Sequence, residues 1–222
     1  ITGIDILPFK WETFPWKTGM GKWFGGSKNI GLLTIHTDEG ITGHSFVGNF
    51  AAGVEQYAKL IKNDLLPLIL HRDPELIEVL WRDMWTHNRY IPSQCISSID
   101  VALWDIKGKK YSLPIHRMLG TSRSEVPVYS STAWHETPHE YYAEAETFLQ
   151  KGWTAHKIHP HGIAETDIEI CKSVQKATGD RMKLMLDVTW AYNYHDALMV
   201  GKAIEDMDFY WYEDPLPETD IY

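Results

Sequence analysis

Lys157 and His159 stand two residues apart at the end of a run, Trp153 to His159, that reads as a β-strand. Side chains alternate faces along a strand, so these two proton carriers point to one side and His156 and Ile158 to the other. Two carboxylates hold comparable places, Asp187 after Leu184-Met185-Leu186 and Glu213 after Tyr210-Trp211-Tyr212. An unpaired carboxylate at a buried strand end is costly, which calls for a cation between the two. Oxygen donors of this kind suit a hard divalent ion such as Mg²⁺. Taken singly, an acid at a strand end is more often a helix cap or a surface charge. The pair in consecutive units, beside a Lys-x-His, is what points to a site.

The elements that must position these groups begin at about Glu125. Strands are expected at Val126 to Ser131, Trp153 to His159, Lys183 to Val188 and Phe209 to Glu213. Between them run amphipathic helices, one carrying Tyr141, Ala145 and Phe148, the next Ile168, Cys171 and Val174, the third Ala197, Val200 and Ile204. Strands alternating with helices of this length are βαβ units with parallel strands, and working residues gather at the carboxyl ends of such strands. Four strands make either a small open sheet or the first part of a closed barrel.

The preceding residues follow another rhythm. Ile30 to Thr37 and Ile41 to Val47 flank Asp38-Glu39-Gly40, a hairpin signal, after a short strand at Ile4 to Leu7. Residues 53 to 112 carry three helical faces punctuated by Pro67, Pro74 and Pro92, which makes an α+β module. Trp11 to Lys28, rich in Gly, Trp, Lys and Phe, reads as a loop, either a surface connection or a lid over a pocket. Trp134, His135 and His161 lie at or just past strand ends, His161 in the loop after Pro160.

Composition removes several classes of function. Twenty-one Lys and Arg against thirty Asp and Glu give a net charge of −9 with no basic run, which argues against a nucleic-acid binder. Hydrophobic residues at 44% supply a sizeable core and exclude a disordered chain. No stretch approaches the roughly 18 apolar residues that span a bilayer, so no membrane partner is expected. Cys95 and Cys171 show no paired spacing and read as reduced core thiols, in keeping with a cytoplasmic protein. The chain starts at Ile1 and stops at Asp220-Ile221-Tyr222, so it reads as cut from a longer protein.

Residues Cys95-Ile96-Ser97-Ser98-Ile99-Asp100-Val101-Ala102-Leu103-Trp104-Asp105-Ile106-Lys107-Gly108-Lys109, continued by Pro114-Ile115 and Leu119-Gly120, resemble a signature of the mandelate racemase and muconate lactonizing branch of the enolase superfamily. Cys95 departs from it, standing where Ala is usual. Lys157-x-His159, Asp187 and Glu213 in Glu-Asp-Pro resemble the strand ends of the same family. The resemblance implies an α+β capping domain, residues 1–124, followed by an α/β (β/α)8 TIM-type barrel of which residues 125–222 hold about the first four βα units. It implies one Mg²⁺ held by Asp187, Glu213 and a third carboxylate beyond Tyr222. It further implies that the lid selects the substrate through Trp16, Lys17, Lys22 and Trp23, and that the protein is a homo-oligomer.

On this basis the expected activity is the Mg²⁺-dependent dehydration of an acid sugar. The proton α to a carboxylate is removed through an enediolate and the β-hydroxyl is expelled. His159 or Lys157 is the expected base, with Lys157 otherwise neutralising the substrate carboxylate, and Trp134 and His161 are expected to line the pocket. Two alternatives remain open: a racemase, epimerase or cycloisomerase using the same enolate, and a truncated scaffold without catalysis.

Overall fold

The computed structural model describes residues 1–17, 23–48, 53–132 and 134–219, with the backbone alone described for 13–17 and 23–25. The chain divides into two compact units, Ile1–Thr13 with Gly26–Ser124, and Phe14–Gly25 with Glu125–Tyr222.

A three-stranded sheet runs in the order β1 (Gly3–Lys17), β2 (Trp23–His36), β3 (Thr42–Val47), its residues up to Thr13 and from Gly26 belonging to the first unit. β2 and β3 are antiparallel, with Leu33 opposite Ser45. Gly40, at φ +79°, closes the expected hairpin, its N–H donating to Thr37 O. Only glycine adopts that conformation without strain.

The expectation of a loop from Trp11 to Lys28 is corrected, because strand runs on through Lys17 and resumes at Trp23. Trp, Phe and Thr in these stretches suit a pleated backbone, and in β2 that preference outweighs the loop signal of Gly25 and Gly26. Lys22 lies outside the described residues, as do the side chains of Trp16, Lys17 and Trp23.

Helix α1 (Val54–Leu60) passes through a π-turn at Ile61–Leu65 into α2 (Leu66–Ile69), and α3 (Ile77–Trp85) follows. The long α4 (Ser93–Tyr111) ends at Ser112, which takes a left-handed conformation, and leads to the short α5 (Ile115–Met118). Ile99, Ala102, Leu103 and Ile106 recur at helical spacing on α4 and are buried against Leu33 and Ile35 in one apolar cluster. A Cβ on Gly43 would collide with the Ala102 carbonyl, so glycine lets β3 lie directly on α4. A cavity of about 370 Å³ in this unit is lined in part by Glu39, Arg72, Glu75 and Lys110. Its cations are already paired, Lys110 with Glu39 and Glu75 and Arg72 with Asp83.

The second unit alternates β4 (Ser130–Ser131), α6 (Pro138–Gln150), β5 (Ala155–Ile158), α7 (Ala164–Thr178), β6 (Lys183–Asp187), α8 (Tyr194–Asp206) and β7 (Trp211–Glu213). The four strands pair in that order and all are parallel. β4 is shorter than the expected Val126 to Ser131. Val126 and Val128 are exposed, and among the described residues β4 pairs with β5 alone. α6 opens on a capping box in which the Thr137 hydroxyl accepts from Glu140 N–H and the Glu140 carboxylate accepts from Thr137 N–H. Cys95 and Cys171 are free, buried thiols in α4 and α7. Burial pushes the Cys95 thiol up to about 11 and that of Cys171 further still. Among the described residues no helix is long and apolar enough to cross a membrane.

The parallel sheet has two unlike faces. Ile158, Leu184, Leu186 and Tyr212 join the apolar cluster that includes Tyr141, Cys171 and Val200 from α6, α7 and α8. Alternation sends Tyr129, Lys157, Met185, Asp187, Trp211 and Glu213 to the opposite face.

Candidate active site at the ends of the parallel strands

Register assembles the charged face. Lys157 is opposite Met185, which is opposite Trp211, and two residues further along Asp187 is opposite Glu213. The long lysine side chain closes that two-residue offset: its Nζ donates to Asp187 Oδ2 at 2.9 Å and to Glu213 Oε2 at 3.1 Å. His159 Nε2 lies 3.1 Å from the same Asp187 oxygen. The four residues singled out in the sequence therefore form one cluster, with Asp187 at its centre.

Asp187 is 8% exposed. Burial alone would raise its pKa, but hydrogen bonds and charge from His159 and Lys157 hold the carboxyl well below the usual carboxylate range. Burial likewise works against the Lys157 ammonium, and the hydrogen bonds it donates to Asp187 and Glu213 overcome it and raise the lysine above its ordinary value.

The backbone around Asp187 is strained. Thr189 and Trp190 take consecutive left-handed conformations at φ +52° and +63°. That conformation is unfavourable for a β-branched residue. It lets Thr189 N–H donate to Asp187 Oδ1 at 3.2 Å and Trp190 N–H to Asp214 O at 2.7 Å. The segments beyond β6 and β7 are thereby joined past the end of the sheet.

His159 is fixed from β4. Its N–H donates to Thr132 Oγ1 at 2.9 Å, and its Nδ1 lies 2.9 Å from Thr132 O. A carbonyl only accepts, so Nδ1 carries a proton in this arrangement and Nε2 is the nitrogen turned toward Asp187. Two tyrosines and one aspartate hold the surrounding loops. Tyr141 OH donates to His159 O at 2.8 Å and accepts from His135 N–H. Asp167, fully buried near the start of α7, accepts from the N–H groups of His161 and Gly162, both at 2.9 Å, and from Tyr192 OH.

Trp134 and His161 pack on each other with ring centroids 5.0 Å apart, and His161 Nε2 donates to His135 O at 2.7 Å. His161 also meets Tyr141 and Asp167. His156 faces the helices as alternation requires: it is fully buried, its Nδ1 is 2.7 Å from Ser130 Oγ, and its ring lies against Phe148. Sequence reasoning missed Thr132, Tyr141 and Asp167. The position of Thr132 one residue past β4 was the one available signal.

The donor chemistry of the site fits part of a divalent-ion set. Asp187 and Glu213 present hard oxygen donors on neighbouring strand ends, as Mg²⁺ prefers. Among the described residues no group of three His, Cys, Asp or Glu could hold an ion by itself.

Known proteins share this architecture. A family model for the mandelate racemase / muconate lactonizing enzyme N-terminal domain matches residues 2–120, and one described as enolase C-terminal domain-like matches residues 140–222. An arabinonate dehydratase from Saccharolobus solfataricus is 30% identical over 84% of this chain and 52% of that protein. A 3,6-anhydro-alpha-L-galactonate cycloisomerase from Streptomyces coelicolor is 27% identical over 89% of this chain and 57% of its own length. The crystal structure of a D-glucarate dehydratase from Agrobacterium tumefaciens, complexed with magnesium, superposes with a TM-score of 0.84 at 26% identity, covering 99% of this chain and 62% of that one. The chain thus spans about half the length of the curated relatives it matches. The α+β unit and the parallel βα repeats are the capping domain and the first part of the barrel of an enolase-superfamily protein, and the chain belongs to the mandelate racemase/muconate lactonizing enzyme family.

Proposed function

We propose that the whole protein is a Mg²⁺-dependent dehydratase acting on an acid sugar. The observation that carries this reading is the convergence of Lys157 and His159 on Asp187, with Glu213 paired beside it. The dehydratases among the relatives support the choice of reaction.

A proton α to a carboxylate is weakly acidic because its removal crowds negative charge onto the carboxylate oxygens. Asp187 and Glu213 would hold the divalent ion, whose charge stabilises those oxygens as a Lewis acid. His159 Nε2 takes the α-proton and the C–H electron pair becomes the C=C bond of an enediolate. Thr132 O keeps the opposite ring nitrogen protonated, and Nε2, which donates to Asp187 in the ion-free arrangement, is the atom that becomes basic once it gives up that proton. The β C–O bond then breaks with its electron pair on oxygen. The proton gained by His159 completes the departing water, and the enol tautomerises to a 2-keto-3-deoxy acid. The Lys157 ammonium supplies the positive charge that a substrate carboxylate meets on this face.

The test is His159→Ala and His159→Asn in the full chain, assayed with Mg²⁺ against a panel of acid sugars. General-base loss should lower kcat by roughly 10²–10⁴-fold. Activity held within about twofold would remove His159 from the mechanism.

The cycloisomerase relative supports a second reading, in which the same enediolate is reprotonated or closes on itself. Solvent deuterium entering the α-position without loss of water would favour it over dehydration.

A further inference from the structure

The charge between the two strand-end carboxylates belongs to the chain itself. Lys157 Nζ lies 2.9 Å from Asp187 Oδ2 and 3.1 Å from Glu213 Oε2, with the lysine side chain 10% exposed and that of Asp187 11%. Water screens Asp187 little, whereas the Glu213 side chain is 38% exposed, so it is Asp187 above all that would be strongly disfavoured without a cation. The same shielding makes a divalent ion and an ammonium on one carboxylate oxygen mutually repulsive.

A second seat for the ammonium is present. The face of the Tyr129 ring has its centroid 5.8 Å from Nζ, within the range of a cation–π contact, and Tyr129 is itself braced edge-on by Trp211 at 5.4 Å. The lysine therefore has somewhere to turn without leaving the sheet face.

We propose that Lys157 is the resident counter-ion of the ion-free site and competes with the divalent ion for Asp187 and Glu213, so that ion binding moves its ammonium off the carboxylates toward Tyr129. The proposal rests on reading Asp187 and Glu213 as ion ligands. It makes Lys157 a positioning residue: it keeps the two carboxylates together until the ion arrives, and the ion's arrival turns its charge toward the space a substrate carboxylate would enter.

The experiment uses the full chain with Mn²⁺ and Mg²⁺ as probes, without substrate. Calorimetric titration of Lys157→Met should show Mn²⁺ binding about tenfold tighter than in the wild type, since the competing charge is gone. Its melting temperature should be lower without ion and rise further on adding Mg²⁺ than that of the wild type. Binding that is equal or weaker in Lys157→Met overturns the proposal.

Should Lys157→Met fail to fold without ion, the wild type decides: the ¹⁵N-lysine ammonium signal of Lys157 should shift on adding Mg²⁺, and an unmoved signal at saturation overturns the proposal. Asp187→Asn separates the two readings. If it abolishes ion binding while Lys157→Met tightens nothing, the competition alone is wrong. If it leaves wild-type ion binding intact, the ligand reading fails and the competition fails with it.

Discussion

The two units bury different things. Among the described residues of the first, the buried polar side chains are those of Ser45 and Ser98, each with its hydroxyl donating to a backbone carbonyl. The second buries His156, Lys157, Asp167 and Asp187 beside an apolar cluster of similar make-up. Burial of apolar area favours folding, whereas a buried charge costs free energy unless partners replace its water. In the second unit those partners are specific: Asp187 meets Lys157, His159 and Thr189, and Asp167 meets two backbone N–H groups and Tyr192. The first unit is built for cohesion, and the second holds charge in fixed positions at some cost to cohesion.

The largest expected effect tests the cohesive unit. Leu103→Ala empties a fully buried position on α4 and should lower unfolding free energy by about 2–5 kcal/mol in urea denaturation. A loss below about 1 kcal/mol would mean that this core does not carry the unit.

The next tests the charged unit by pH. Burial, with smaller contributions from the charges of His135 and His159, holds the His156 imidazole down at about 4 instead of 6.5. The unfolded chain therefore takes up that proton first. The contribution is complete above pH 6.5 and is lost as the pH falls through 4, by about 3 kcal/mol at the limit. Urea midpoints at pH 7 and pH 4.5 should differ less in His156→Asn than in the wild type. An equal difference would place the acid sensitivity elsewhere. Asp187 acts in a separate window: its depressed pKa makes it stabilising above the ordinary carboxylate value, and that contribution disappears only at lower pH.

A smaller effect sharpens the comparison at one atom. Tyr192→Phe deprives the buried Asp167 of its hydroxyl donor and should cost about 1–2 kcal/mol, with faster amide exchange at His161 and Gly162, which share that carboxylate. Unchanged exchange at these two amides would show that the loop is held without Tyr192. The smallest effect lies on the surface, where Thr137→Ala removes the α6 cap and should cost about 1 kcal/mol by thermal unfolding. A larger loss there than for Tyr192→Phe would reverse the expected weight of buried and exposed polar groups.

Period and chemistry along the chain determined the α+β unit, the parallel βα repeats, the shared face of Lys157 and His159, and the opposite face of His156. Those properties depend on alternation and helical spacing, which are local. The continuation of β1 to Lys17 and the start of β2 at Trp23 depart from the loop expected there because local composition, including Gly25 and Gly26 in β2, signals a loop, while strand pairing, a non-local event, decides the outcome. Tertiary structure alone decided that Lys157 bridges Asp187 and Glu213, which follow it by 30 and 56 residues. It alone decided that Thr132 orients His159 and that Asp167 joins Tyr192 to the loop after β5. Alternation specifies the face on which a side chain lies. Which partner it meets there depends on strand register and on the paths of the connecting loops, both of which exist only once the sheet has formed.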